Sequence, residues 1–317
     1  MSSNKQGKFA CLAQAAAAVA VLQFFALHSN CASAQVGAQT AAQISAVAQP
    51  PPARPIAAPG ATLPAIPAVA GSNASAKPIV ETTPATCTAP AELARFDRPL
   101  VHTMRRLANG QPLTIVAIGS SSTAGAGASS PDASYPSRLA VDLRTRFPGR
   151  EITVLNRGVN GEETNNMMVR FATDVLAARP QLVLWQIGTN SVLRDHPLNP
   201  HAVQLHEGIE QLKAAGADVV LIDPQFAPRV IAKSETLDMV EQIAVAAKEA
   251  NVELFRRFAL MQSWHDVQHI PFDTFVAPDG LHMNDWSYAC LAKLLSGAIA
   301  EAATRPLASA AHAAPAR

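Results

Sequence analysis

Residues 113–123 read LTIVAIGSSST, and this stretch carries the strongest structural signal in the chain. Residues 113–118 are almost entirely aliphatic or β-branched, which is typical of a strand buried on both faces of a parallel sheet. A glycine and three serines follow directly. The pattern therefore predicts a buried strand that ends in a sharp polar turn, with several hydroxyl groups at its carboxyl end.

Similar apolar runs recur downstream, and segments of helical period separate them. The predicted strands are 113–118, 151–155, 182–187, 219–222 and 252–255, and the predicted helices are 135–147, 165–178, 200–215, 234–250 and 285–303. Repeated strand–helix alternation predicts a parallel sheet covered by helices on both faces. The fold class is therefore α/β, a three-layer α/β/α sandwich around a five-stranded parallel sheet.

The amino terminus has the composition of an export signal. Lys5 and Lys8 precede an apolar stretch over residues 9–27, and residues 32–34 read Ala-Ser-Ala, the small-x-small pattern of a signal-peptidase site. We predict a signal peptide over residues 1–34, cleaved after Ala34, and a periplasmic or secreted mature chain without stable membrane insertion. An uncleaved anchor is the alternative, because the apolar stretch is long for a signal peptide.

The composition of the remaining chain separates one domain from its flanks. Residues 35–86 are rich in Ala, Pro, Gln, Ser and Thr, and we predict a disordered linker there. The Ala-rich residues 306–317 are predicted to be a disordered tail, which leaves residues 87–305 as one compact domain. Lys and Arg total 25 against 24 Asp and Glu. This balance gives no indication of nucleic acid or an anionic membrane surface as a partner.

Two of the four cysteines fall in the predicted domain. Cys11 and Cys31 belong to the predicted signal peptide, whereas Cys87 and Cys290 remain in the mature chain. In an oxidising compartment, two remaining cysteines indicate one disulfide, which would join the start of the domain to its last helix. Two separate buried thiols are the alternative.

Residues with chemical potential follow four of the predicted strands. The serine turn follows the first strand, residues 157–163 (RGVNGEE) the second and residues 188–190 (GTN) the third, and residues 279–282 (DGLH) come after the fifth. Loops at the carboxyl ends of parallel strands meet at one edge, where α/β proteins bind ligands. A serine needs an imidazole to accept its proton, and the imidazole needs a carboxylate to fix its tautomer. The last loop carries both groups.

These four stretches resemble, in order and spacing, the sequence blocks of the SGNH hydrolases, the superfamily of GDSL-type esterases. The resemblance implies the flavodoxin-like fold of that superfamily, with Ser121 as nucleophile, His282 as base and Asp279 as the partner of the base. It also implies an oxyanion hole made by the backbone N–H of Ser121, the backbone N–H of Gly161 and the side-chain amide of Asn190.

The chain departs from the superfamily pattern beside the nucleophile. Ser120 stands where the family has aspartate, and Ser122 stands where it has leucine. Three consecutive serines leave both as alternative nucleophiles. No metal and no organic cofactor is expected. His265 and His269 lie four residues apart, which would suit two metal ligands on one helix face, but a surface or lid role is the simpler interpretation.

The resemblance and the export signal together predict an exported serine esterase that hydrolyses small or carbohydrate-linked esters, O-acetyl esters above all. The alternatives are a polysaccharide O-acetyltransferase with the same triad, a lipase or lysophospholipase-type esterase, and an inactive carbohydrate-binding relative. The expected partner is a small-molecule or glycan ester, and the oligomeric state is not predicted. Residues 227–233 and 262–278, the latter with Trp264, Phe272 and Phe275, are expected to line or cover the substrate pocket.

Overall fold

The computed structural model of the protein describes residues 85–306. The predicted signal peptide (1–34), nearly all of the predicted linker (35–86) and nearly all of the predicted tail (306–317) lie outside these residues. Within them, no helix is both long enough and apolar enough to cross a bilayer.

Five strands form one sheet in which every neighbouring pair is parallel. The order across the sheet is β2-β1-β3-β4-β5. All residues of β3 are buried, as expected of a central strand whose two faces are both covered. The strands are β1 Leu113–Gly119, β2 Ile152–Gly158, β3 Leu182–Gln186, β4 Asp218–Ile222 and β5 Glu253–Phe255.

Helices connect the strands and cover both faces of the sheet. They are α1 Val101–Ala108, α2 Ser121–Ala124, α3 Tyr135–Arg146, α4 Thr164–Val169, α5 Thr189–Leu193, α6 Leu198–Ala214, α7 Pro228–Ile231, α8 Thr236–Glu249, α9 Arg257–Gln262, α10 Phe272–Phe275 and α11 Asp285–Thr304.

The core consists of two apolar clusters, one on each face of the sheet. Side chains along a strand point alternately to opposite faces. Ile115 and Ala117 of β1 accordingly pack in one cluster with α3 and α11. Val116 and Ile118 pack in the other cluster with α6 and α8. The predicted three-layer α/β/α fold with a five-stranded parallel sheet is thereby confirmed.

The predicted helix over 165–178 is wrong in its second half. The helix ends at Val169, and one π-helical turn, Phe171–Val175, and a short 3₁₀ turn, Leu176–Ala178, follow. The guanidinium of Arg170 donates to the carbonyl of Arg157 over 2.7 Å, which holds this helix end over the end of β2. The turn beyond it buries Phe171, whose ring packs edge-on against Trp185 with centroids 5.1 Å apart.

A disulfide joins Cys87 to Cys290 of α11, two residues that are 203 positions apart in sequence and whose Cα atoms are 5.4 Å apart. Two tryptophans hold the same N-terminal segment. The indole of Trp286 donates to the carbonyl of Ala85 over 3.0 Å, and that of Trp264 donates to the carbonyl of Thr88 over 3.0 Å. The start of the domain is therefore fixed to its last helix by one covalent bond and one hydrogen bond, and to the turn after α9 by the other hydrogen bond.

The same contacts correct one expectation about the substrate pocket. Trp264 and Phe275 are fully buried, and Trp264 packs edge-on against Phe275 and Trp286, with centroids 5.7 and 5.1 Å apart. These two side chains belong to the core beneath the N-terminal segment and do not line a pocket.

The end of β2 passes close to the serine turn because Gly158 has no side chain. A methyl group at Gly158 would overlap the backbone nitrogen of Ala124 in α2. Just beyond, the N–H of Val159 donates to the carbonyl of Gly119 over 3.0 Å. The loops after β1 and β2 are therefore in direct backbone contact.

We expect loss of the disulfide to lower the free energy of unfolding by about 2–5 kcal/mol, since the bond restricts a long loop of the unfolded chain. Urea unfolding of the oxidised domain, compared with the same protein in reductant, measures this difference. The double variant Cys87→Ser/Cys290→Ser serves as control, because reductant should not change its midpoint. Equal midpoints for oxidised and reduced parent would contradict the expectation.

We expect Gly158→Ala to destabilise the domain by about 1–3 kcal/mol, because backbone atoms of α2 leave no room for the methyl group. Gly297→Ala is a matched control in α11, where the nearest atom to an added Cβ is a flexible arginine nitrogen 3.5 Å away. That change should be neutral or should stabilise by up to about 1 kcal/mol. Thermal unfolding of both variants checks the contrast, and equal effects would refute it.

Candidate active site

The three serines after β1 have different surroundings. Ser120 and Ser122 are each only 1% exposed, whereas Ser121 is half-buried at the start of α2. The side-chain oxygen of Gln186 accepts from the N–H of Ser120 at 2.9 Å, from its hydroxyl at 3.1 Å and from the hydroxyl of Thr123 at 3.3 Å. Gln186 thus holds the turn from below, with Ser120 directed inward.

Ser121 is the serine that meets the histidine. Its Oγ lies 2.9 Å from Nε2 of His282, and Nδ1 of His282 lies 2.5 Å from Oδ2 of Asp279. The other oxygen of Asp279 accepts the backbone N–H groups of Leu281 and His282, both over 2.9 Å. The loop therefore fixes its own carboxylate, which in turn faces the imidazole ring.

Asp279 is held in its ionised form. Partial burial raises the pKa of its carboxyl group. Hydrogen bonds from the backbone and ring of His282 and from the N–H of Leu281 together lower the pKa by more than burial raises it. The net pKa lies below the ordinary value for aspartate. An ionised carboxylate at this position can orient an imidazole and stabilise its protonated form.

A second close approach brings the histidine loop to the serine turn. A methyl group at Gly127 would overlap the carbonyl of Met283 and would lie 3.0 Å from Cβ of His282. The hydroxyl of Tyr288 in α11 donates to the carbonyl of Ala126 over 2.7 Å. The loop after β1 is therefore packed directly against residues 282–288, and this contact sets the distance between Ser121 and His282.

The loop after β2 reaches the loop after β3 through Asn190. The side-chain amide of Asn190 donates one N–H to the carbonyl of Glu162 over 2.8 Å. An amide NH₂ carries two donors, so the second remains for a ligand. Within residues 85–306, the backbone N–H groups of Ser121 and Gly161 have no acceptor. All three predicted oxyanion-hole residues thus carry a donor that no acceptor in the described part of the chain occupies.

Arg170 ties the strand ends together and was missed by sequence reasoning. It pairs with the carboxylate of Glu162 at 2.6 Å and donates to the carbonyls of Arg157 at 2.7 Å and Gly119 at 3.5 Å. It therefore links the ends of β1 and β2 with the loop that carries Gly161. Arginine within a helical period gave no signal of this role.

Gln225 connects the two loops that carry the amide and the histidine, and it too was missed. Its oxygen accepts from the hydroxyl of Thr189 over 3.0 Å, and its nitrogen donates to the carbonyl of Leu281 over 3.2 Å. Gln225 is buried and lies just after β4, at the same sheet edge as the other loops. Its position after a strand was the available signal.

A buried aspartate and a buried arginine lie after β4 and β5, respectively. Nε of Arg257 donates to the carbonyl of Asp223 over 2.9 Å, and the N–H of Phe258 donates to the Asp223 carboxylate over 2.8 Å. Burial raises the pKa of Asp223 to about 7, and the Phe258 N–H and Arg257 oppose that rise. Burial also lowers the pKa of Arg257. The pair joins the last two strand ends.

The two histidines considered as metal ligands lie elsewhere. His265 stacks on the ring of Phe272, with centroids 4.2 Å apart, and its Nδ1 contacts Asp266 at 2.8 Å. Within residues 85–306, no three or more His, Cys, Asp or Glu side chains are grouped so as to hold a metal ion.

Comparisons with known proteins agree with this architecture. The sequence is 32% identical over 95 residues to an arylesterase of Vibrio mimicus, which covers 30% of this chain and 46% of the relative. It is 30% identical over 79 residues to an acetylxylan esterase of Geobacillus stearothermophilus, which covers 25% of this chain and 36% of the relative. The matched stretches span less than half of each relative.

Among solved structures, the fold is similar to a two-domain esterase active on acetylated mannans. The TM-score is 0.60 at 19% sequence identity, over 69% of this chain and 58% of that chain. At this identity the similarity concerns the fold alone. The SGNH resemblance read from the four sequence stretches is confirmed. A profile of the Non-GDSL lipase-like family matches residues 86–305, and this chain belongs to that family.

Proposed function

We propose that this protein is an exported serine esterase that hydrolyses small or carbohydrate-linked O-acetyl esters through Ser121, His282 and Asp279. The observation that carries the proposal is the unbroken chain of contacts between these side chains, 2.9 Å from Ser121 to His282 and 2.5 Å from His282 to Asp279. A hydroxyl in hydrogen-bond reach of a carboxylate-oriented imidazole is the arrangement that activates serine for acyl transfer.

The reaction proceeds in two halves. Nε2 of His282 accepts the proton as Oγ of Ser121 attacks the ester carbonyl, and the imidazolium then protonates the departing alcohol. This leaves an acyl group on Ser121. In the second half, His282 removes a proton from water as the water oxygen attacks the acyl carbon. The imidazolium then returns this proton to Oγ of Ser121 as the bond to the acyl group breaks and the acid leaves. Asp279 orients the ring and stabilises its charged form throughout.

The negative charge on the carbonyl oxygen is met by three donors. These are the backbone N–H of Ser121, the backbone N–H of Gly161 and the free N–H of the Asn190 amide. Donors fixed before the reaction stabilise the developing charge without reorganisation. This assignment is supported by the hydrogen bond from the Asn190 amide to the carbonyl of Glu162, which joins the loop of Asn190 to the loop of Gly161.

The choice of substrate rests on the relatives. An acetylxylan esterase shares sequence with this chain, and an esterase active on acetylated mannans shares its fold. Both names point to O-acetyl groups on polysaccharides, which fits an enzyme outside the cytoplasm. The same triad would serve an O-acetyltransferase or a lipase, so the acyl donor and the final acceptor have to be measured.

Export is part of the proposal. Its support is the charged, apolar and Ala-Ser-Ala sequence of residues 1–34 together with the disulfide between Cys87 and Cys290. Disulfides persist in oxidising compartments such as the periplasm or the medium. Mass spectrometry of the mature protein tests the signal peptide directly, since cleavage after Ala34 leaves Gln35 as the first residue.

We expect Ser121→Ala to lower kcat for p-nitrophenyl acetate by about 10⁴-fold or more, because the nucleophile is lost. Asp279→Asn should lower kcat by about 10⁴-fold, since the amide favours the wrong imidazole tautomer. Ser122→Ala is the matched control: its hydroxyl is buried and has no partner within the described residues, so most activity should remain. A fully active Ser121→Ala variant would move the nucleophile to another serine.

Substrate series separate the alternatives. Comparable or faster turnover of the acetyl ester than of the octanoyl ester supports the proposal, and the reverse identifies a lipase-type enzyme. A folded parent that hydrolyses no ester but acetylates an added glycan is an acetyltransferase. A folded parent with neither activity that still binds a glycan is an inactive binding protein.

We expect Asn190→Ala to lower kcat by about 10²–10³-fold with little change in KM, because its amide acts mainly on the transition-state oxyanion. Asn109→Ala, at an exposed position after α1, is the control and should retain parental kinetics. Steady-state kinetics of both variants decide the point. A change confined to KM would assign Asn190 to ground-state binding.

A further inference from the structure

The loop that carries Gly161, residues 159–163, is held by two hydrogen bonds from an arginine. This arginine belongs to neither the proposed triad nor the proposed oxyanion donors. One guanidinium nitrogen of Arg194 donates to the carbonyl of Gly161 over 2.8 Å. The other donates to the carboxylate of Glu163 over 2.6 Å. Both bonds come from one planar group, so together they fix the direction of the loop as well as its distance.

Glu163 anchors the side chain of Arg194. Besides Arg194, its carboxylate accepts the hydroxyl of Ser191 at 3.0 Å and contacts Nδ1 of His196 at 2.8 Å. Burial raises the pKa of Glu163, but the bonds from His196, Ser191 and Arg194 lower it to a net value below the ordinary one. The carboxylate is thus ionised at neutral pH and holds the residues after β3 against the loop after β2.

The loop needs these hydrogen bonds because Gly161 gives its backbone conformational freedom. Its φ is 79°, in the left-handed region that glycine enters freely and leaves as freely. Glu162 is already bonded to Asn190 through its carbonyl. With Arg194 on the carbonyl of Gly161, two successive carbonyls and one carboxylate of this loop are bound from the same side.

We propose that Arg194 is a positioning residue that holds the Gly161 N–H at the oxyanion site. The inference rests on the proposed esterase function. Arg194 makes no hydrogen bond to Ser121, Asp279 or His282 within the described residues, so it acts through the loop rather than on the reacting atoms. Glu163 anchors the guanidinium, and the guanidinium fixes the Gly161–Glu162 peptide.

The kinetic test compares Arg194→Met and Arg194→Lys with the parent on p-nitrophenyl acetate. We expect Arg194→Met to lower kcat by about 10–100-fold with KM changed less than about 2-fold, because the misplaced donor acts on the transition state. The kcat of Arg194→Lys should lie between those of the parent and Arg194→Met, since an ammonium keeps the positive charge but lacks the planar, two-pronged donor geometry of a guanidinium. Arg105→Met, at an exposed position on α1, should match the parent. Parental kcat in Arg194→Met overturns the proposal.

Hydrogen exchange tests whether Arg194 holds the loop, without relying on activity. The hydrogen-bonded amides of Val159, Glu162 and Glu163 should exchange at least about 10-fold faster in Arg194→Met, while residues 182–186 of β3 and the Arg105→Met variant stay at parental rates. Unchanged exchange in residues 159–163 refutes the claim that Arg194 holds the loop, whether or not the parent hydrolyses esters. An inactive parent with faster loop exchange in Arg194→Met would instead refute the esterase function but support the claim that Arg194 holds the loop.

Discussion

The parallel register of β1 with its two neighbours is the constraint on which the site depends. Gly119 at the end of β1 lies beside Gly158 at the end of β2, and Ile118 pairs with Trp185 of β3. Because the strands run in one direction, the turns that follow them start from one edge. Two adjacent glycines then leave space for α2 to cross the strand ends, so Ser121 projects from the edge instead of lying within the sheet.

Much of this could be predicted, because strands buried on both faces leave a clear apolar pattern. The strand positions follow from runs such as 113–118 and 182–187, and parallel order places the serine, glycine, asparagine and histidine loops at one edge. The sequence left the nucleophile open among three serines. The structure distinguishes them through contacts: Gln186 engages Ser120, and only Ser121 contacts His282.

What escaped prediction depends on contacts between residues far apart in the chain. Gln225, Arg170 and Arg194 each bridge two loops. Gln225 had its position after a strand as a signal, but nothing in the immediate neighbours of the two arginines distinguishes them from surface polar residues. The broken helix after Val169 escaped for a related reason. A π-helical turn uses the same residue types as an α-helix, so the pattern of 165–178 does not reveal it.

The disulfide between Cys87 and Cys290, which are 203 positions apart in sequence, closes a covalent ring. Ser121, Asp279 and His282 all lie inside that ring. A protease that cuts one exposed loop of the ring leaves two fragments joined by the disulfide, and Ser121 stays covalently linked to His282. Only a second cut within the ring would release a piece of the domain.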